Sequence, residues 1–356
     1  MPRLRSILLL SLLIASPASA VTIDWVVVGS PRNAADPQTT LGAVADNYRI
    51  SKYEVTNAQY TEFLNAVADA DPNELYQPFM GDAAPLRFGG IIRNGSSGNY
   101  TYQTIAGREN MPVNYVSFYD ALRFTNWMNN GQPSGAQGIA TTESGAYTIT
   151  PQGVAENSIA RNTGASVFLP SSNEWYKAAY YDPSTSSYYD FPARSDAITT
   201  CAAPTAAPNT ANCEASNHIN DFSSVGSYRG SASPYGTLDQ GGNAFEWNDD
   251  ASESLFGRRI SRGGGFRADV GYLAAYIRSE SYPDDAGFAQ GFRLASVIPE
   301  PGTGLLVAAG LIGLAASRTS RVLCRNSADA ESTECRWVER ILIVAPTADS
   351  GTPKSS

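Results

Sequence analysis

Histidine is almost missing from this chain: His218 is the only one in 356 residues. A histidine-cluster iron centre therefore cannot be built, and a Ser-His-Asp hydrolase would have to use His218 as its base. Its neighbours Asn217, Ile219, Asn220 and Asp221 show no nucleophile elbow. Cysteine is scarce too, four residues with no CxxC or Cys/His spacing, which removes zinc and dithiol motifs. Charged residues make up only 17% of the chain, and 34 acidic against 25 basic side chains leave a net charge of −9. Nucleic acid and anionic membrane surfaces need clustered Lys and Arg, so neither is expected as a partner. No spacing argues for a paired-carboxylate glycosidase, and no internal repeat is visible.

What is abundant points to a loop-rich α+β fold. Thirty-one Gly, 21 Pro and 19 Tyr accompany a hydrophobic content of 42%, enough for one large core. Residues 1–20 read as a secretory signal: Arg3 and Arg5, an apolar run over 7–15, then Ala18-Ser19-Ala20 as the small-residue cleavage site. Residues 23–29 (IDWVVVG) and 48–55 (YRISKYEV) have strand composition. Three helices announce themselves by one device, a hydroxyl followed three residues later by a side-chain acceptor: Thr56-x-x-Gln59, Ser117-x-x-Asp120 and Ser171-x-x-Glu174. The first carries Tyr60, Phe63, Leu64 and Val67 on one stripe; Phe118, Ala121, Leu122, Trp127 and Met128 mark the second, and Trp175, Ala178 and Ala179 the third.

Residues 88–92 and 100–105 flank Asn94-Gly95-Ser96-Ser97-Gly98 and predict a hairpin. The stretch 131–165 is irregular, with one short strand expected over 146–150. Export would permit a bond between Cys201 and Cys213, which bracket a loop that it would staple, and two free thiols are the alternative. Gly263, Gly264 and Gly265 permit positive φ or close backbone approach, and Gly291-Phe292-Arg293 sets a ring beside a charged fork, as at a strand end that pins a loop. Between these units lie Arg267, Asp269, Tyr272, Tyr276, Arg278, Glu280 and Tyr282, aromatic and polar side chains suited to recognition.

Gly242-Asn243-x-x-Glu246-Trp247 followed by RGG…GFR resembles the formylglycine-generating, sulfatase-modifying-factor family, whose fold is a variant of the C-type lectin fold. Three further blocks stand in family order: KYEVTNAQYTEFLNAV (52–67), PVNYVSFYDALRFTNWM (112–128) and LPSSNEWYKAAYYDP (169–183). The resemblance spans 22–296 and implies an oxidoreductase that converts a peptide cysteine to formylglycine with two cysteines in the RGG…GFR stretch. Ala268 and Leu273 stand at those two positions, and neither can form a thiolate, ligate copper or enter a mixed disulfide. The expectation is therefore a binding or structural module without copper or iron, taking a glycan or protein ligand on the 267–282 face.

The resemblance also implies structural calcium at two loops. One would use Asp239, the carbonyls of Gly242 and Ala244, and Glu246; the other Asn217, the carbonyl of His218, Asp221 and the carbonyl of Ser223. Past residue 296, Pro299-Glu300-Pro301, an apolar stretch over 304–316 and Arg318 with Arg321 resemble the PEP-CTERM sorting signal of Gram-negative bacteria. This region, 297–321, implies an exosortase as processing partner, delivery to the cell envelope, surface or matrix, and transient membrane association, because its apolar run is shorter than the ~20 residues of a stable span. The tail 322–356, with Cys324, Cys335 and Trp337, receives no assignment.

Overall fold

A computed structural model describes residues 20–82, 88–214 and 220–299. The signal segment up to residue 19, the apolar stretch 304–316, the tail, and Asn217 with His218 lie outside the described residues. The chain divides after Ile298, and every described helix and strand belongs to the first unit. None of these helices is long and apolar enough to cross a membrane.

β1 (Trp25–Val28) pairs antiparallel with β2 (Tyr48–Ser51), Trp25 opposite Ser51 and Val28 opposite Tyr48. The chain then enters α1 (Asn57–Val67), where the Thr56 hydroxyl accepts from the Gln59 amide and the Gln59 side chain accepts from the Thr56 amide. After the hairpin β3 (Ile91–Asn94) and β4 (Thr101–Thr104) comes α2 (Phe118–Asn129), capped reciprocally by Ser117 and Asp120. A short α3 (Pro151–Ala155), not expected from the sequence, precedes β5 (Val167–Phe168) and α4 (Ser172–Tyr180), which Ser171 and Glu174 cap as predicted. Two-residue ladders follow, β6 (Tyr181–Asp182) with β7 (Ser187–Tyr188) and β8 (Thr200–Cys201) with β9 (Thr210–Ala211). The last part holds β10 (Phe245–Ala251), β11 (Arg259–Arg262), a 3-10 turn over Val270–Leu273, β12 (Ser279–Ser281), β13 (Gln290–Gly291) and β14 (Ala295–Val297).

Two four-stranded sheets organise these elements, in the orders β1-β2-β14-β5 and β12-β11-β10-β13. β14 lies between β2 and β5, so the two ends of the domain close one sheet. The main core is aromatic: Phe63 packs on Tyr60 and Phe124 with centroids 5.3 Å apart in each case, and Phe292, just before β14, meets Phe124 at 5.3 Å. All four stripe residues of α1 are buried, while Met128 of α2 is only partly so.

The strand expected over 146–150 is not formed. Its only ladder contact among the described residues is a bridge between Tyr147 and Arg161, because the Asn126 side chain takes the polar groups a strand would need: it accepts from the Tyr147 amide at 2.8 Å and donates to the carbonyls of Thr142 and Tyr147 at 2.7 and 3.0 Å. The capping Asp120 is itself buried, and burial pushes its carboxyl up to about 6. A buried acid raised above its unfolded value of about 4 holds a proton that the unfolded chain has released, so its contribution to stability falls as pH rises from about 4 to about 6. Asp120→Asn is expected to flatten that slope by up to about 1.4 kcal/mol per pH unit. Urea melts of parent and variant at pH 4 and pH 6 check this; parallel slopes contradict it.

Candidate functional site

The glycine run ending β11 brings backbone against side chain as expected. Gly263 and Gly264 have φ of +95° and +74°, and a Cβ on Gly264 would stand 2.9 Å from Leu273 Cδ1. Leu273 is completely buried in a cluster with Phe191, Ala211, Cys213 and Ala274, and Cys201 packs against the same cluster. Cys201 and Cys213 are disulfide-bonded, their Cα atoms 5.1 Å apart, which decides between the two readings of these thiols. The Tyr180 hydroxyl donates to the Leu273 carbonyl at 3.1 Å, closing the cluster from α4. Ala268 is half-buried, and its carbonyl accepts from the Glu214 amide at 3.0 Å. The Leu273 position is thus filled by packing, whereas Ala268 stays half-buried and is held through its backbone.

Behind this cluster lies a buried ionic centre. Arg293 and Glu246 are both wholly buried; Arg293 Nε and Nη2 donate to the two Glu246 oxygens at 2.5 and 2.7 Å, and Trp175 Nε1 donates to Glu246 Oε2 at 2.6 Å. The remaining Arg293 protons reach the carbonyls of Ser51 (3.0 Å), Lys52 (3.3 Å) and Leu238 (3.0 Å). One side chain thereby pins the end of β2, the 238–244 loop and β10, the role expected of the GFR unit. Two more buried carboxylates share the centre. Asp239 Oδ2 accepts from the Gly226 amide at 2.5 Å, and Glu54 Oε1 accepts from Asn243 Nδ2 at 3.0 Å while Oε2 is buried without a partner. Burial pushes Asp239 up to about 6. Burial, then the charges of Asp239 and Glu246, hold Glu54 well above the usual carboxylate range.

Three carboxyl groups face one guanidinium, so with all of them ionised this centre is short of positive charge. That deficit is what a cation would correct, and it fits the predicted loop of Asp239, Gly242, Ala244 and Glu246. Among the described residues no group of three or more His, Cys, Asp or Glu is arranged to hold a metal ion by itself, so backbone carbonyls would have to complete the shell.

Glu54 is a further site residue: it lies within the 52–67 block but past the end of β2, and no local pattern marks it as part of a site. At the other predicted loop, Asp221 is held by Arg108 through two bonds of 2.7 Å, and the Ser223 amide and hydroxyl donate to Asn243 Oδ1 at 3.0 and 3.1 Å. Asn212 also belongs here: its Nδ2 donates to the Asp221 carbonyl at 3.0 Å, and its Oδ1 is buried without a partner among the described residues. A buried Asn beside a half-cystine carries no sequence signal of its own.

The residues of the 267–282 face divide into two groups. Arg267 stacks over Phe88 at 5.0 Å and donates to Asn220, Asp269 caps the 3-10 turn, and Tyr272 packs edge-on against Phe245 at 5.8 Å. Farther along, Arg278 pairs with Glu280 at 2.8 Å, Glu280 accepts from Ser254, and Arg258 lies 4.3 Å over the Tyr282 ring. The tyrosines do not fill the core: Tyr272, Tyr276 and Tyr282 are 44%, 69% and 50% exposed.

The fold has known counterparts. The structure of CarF superposes with a TM-score of 0.50 at 20% identity, covering 78% of this chain and 99% of that one, a likeness that speaks to the fold alone. Treponema denticola variable protein 1 gives 0.47 at 16% identity over 78% and 95% of the two chains, and PvdO from Pseudomonas aeruginosa 0.42 at 18% over 78% and 93%. No curated protein sequence matches the chain. Residues 297–321 match the PEP-CTERM protein-sorting motif, which implies export and recognition by an exosortase. Residues 25–298, which contain both sheets and the buried ionic centre, match the sulfatase-modifying factor enzyme 1-like domain, and the chain belongs to that family.

Proposed function

We propose that this protein is a non-catalytic module of the cell envelope, surface or matrix that binds a glycan or protein partner on its tyrosine-bearing face. The observation that carries the reading is the packing at Leu273. Where cysteine oxidation would need a thiolate open to substrate, a fully buried isobutyl group lies in one cluster with a closed disulfide. The exposed side chains of Tyr272, Tyr276 and Tyr282, the last with Arg258 over its ring, offer rigid amphipathic contact area, as recognition surfaces do. Sorting through residues 297–321 would put such a surface outside the cell, after removal of an N-terminal signal. The test has two arms. Copper-loaded protein incubated with a sulfatase-motif peptide is expected to leave its cysteine unchanged by mass spectrometry, and aldehyde formation overturns the reading. A glycan and protein array is expected to give a signal that Tyr272→Ala with Arg278→Ala lowers at least tenfold; a signal unmoved by the pair, or none, removes the assigned face.

The same reading includes structural calcium at the 239–246 loop, with the Asp239 and Glu246 side chains and the Gly242 and Ala244 carbonyls as ligands. Calcium bound there supplies the positive charge that Glu54, Asp239 and Glu246 lack. At a free concentration a hundredfold above Kd it stabilises the fold by about 2.7 kcal/mol. Chelator is expected to lower the melting temperature of the parent and to have little effect on Asp239→Asn. A parent that melts identically with and without chelator refutes the site.

A further inference from the structure

Among the described residues, Val21 is the first that the fold grips. It is 8% exposed and belongs to the main core, whereas Ala20 is exposed. One side chain holds its backbone at both polar groups: the Val21 amide donates to Gln132 Oε1 at 2.7 Å, and Gln132 Nε2 donates to the Val21 carbonyl at 2.8 Å. Gln132 makes these contacts from a strained position. Its φ is +63°, directly after Gly131 at +81°, in the left-handed region that L side chains rarely adopt. Strain of this kind persists where the surrounding contacts require it, and among the described residues the side-chain hydrogen bonds of Gln132 are the two to Val21. Val21 also borders a cleft of about 420 Å³ whose lining, among the described residues, includes Asp24, Glu54 and Glu62 and neither Lys nor Arg.

From this geometry we infer that Gln132 is a docking site for the α-ammonium group of a mature chain beginning at Val21. Hydrolysis by a signal peptidase after Ala18-Ser19-Ala20 adds water across the Ala20–Val21 peptide bond. Ala20 leaves as the carboxylate of the released segment, and Val21 keeps the nitrogen as a protonated amine. The amide donor on Gln132 Oε1 then becomes a charged donor, whose hydrogen bond is shorter and stronger. Asp24 and Glu62 in the cleft beside it favour the new charge. Maturation thus tightens the contact that attaches Val21 to the segment that follows α2.

This inference rests on the export reading, and the experiment separates the two. The N terminus of the exported full chain is determined by mass spectrometry and is expected to be Val21. A start at another residue near 20 overturns the docking site and leaves export standing, while an intact Met1 overturns both. Two full-length forms, one starting at Val21 and one at Ala18, are then compared with Gln132 and with Gln132→Glu. In the form starting at Ala18 a carboxylate loses the bond to the Val21 carbonyl, and the melting temperature is expected to fall by about 2–4 °C. In the form starting at Val21 the carboxylate pairs with the ammonium, and the fall is expected to be smaller or reversed. Equal falls in both forms overturn the inference. Gln132→Gly relieves the backbone strain and removes the contact, so it is expected to fold and to abolish the difference between the two starts; a difference that survives in it also overturns the inference.

Discussion

Glu246→Gln is expected to destabilise the domain by about 3–5 kcal/mol, the loss seen when one partner of a buried ion pair is removed and the other is left charged. Both partners are 0% exposed, and Arg293 has no water to turn to. Burial works against its charge, and Glu246 together with Glu54 and Asp239 more than offsets this, so the guanidinium pKa lies above its ordinary value. A glutamine keeps an acceptor for Trp175 Nε1 but presents an amide where Arg293 needs a second carboxylate oxygen. Removing both charges as Glu246→Met with Arg293→Met is not expected to restore stability. The carbonyls of Ser51 and Leu238 and the indole N–H of Trp175 would then lose these partners inside the core, each at a cost of about 1–3 kcal/mol. Urea unfolding of the parent, the single variant and the double variant measures these differences. A single variant that loses less than about 1 kcal/mol, as exposed pairs do, would show that water reaches the centre.

Opening the disulfide is the second large effect. Cys201 and Cys213 are 12 positions apart, and closing a loop of that size contributes about 3 kcal/mol on the chain-entropy account. Cys201→Ser removes the bond and leaves Cys213, the buried partner, in place as a thiol. The expected loss is about 3 kcal/mol, matched by the parent in reductant, with no further loss when reductant is added to the variant. Leu273→Ala empties the same cluster and is expected to cost about 2–5 kcal/mol. Because Leu273 and Cys213 share that cluster, the two losses should not add. A parent whose midpoint is the same oxidised and reduced would show that the loop is held by packing alone.

The three helix starts are legible in the sequence because a capping box is a four-residue matter: hydroxyl, spacing and acceptor are all local, and the structure shows each box closed. The hairpin and the pinning role of Arg293 are legible for related reasons, turn chemistry in one case and a charged fork beside a strand in the other. The expected strand over 146–150 fails because its competitor, Asn126, comes from a helix some 20 residues away. Proximity in space likewise gives Asn212 and Glu54 their significance. Asn212 meets Asp221 and Asn243 across two loops, and Glu54 meets Asn243 from just beyond the end of β2. The recognition segment is one face by sequence, yet its side chains form two groups, because β12 pairs with β11 and carries Arg278 and Glu280 toward the 252–258 turn.

Order and local chemistry along the chain determined the family, the α+β class, the helix starts and the sorting motif, since each rests on residues close together in sequence. Tertiary structure alone decided that Cys201 and Cys213 are joined, that Leu273 is sealed beside them and that three carboxylates share one arginine. Those facts depend on distances between segments as far as 242 positions apart, and such distances are set by how the sheets close around the core.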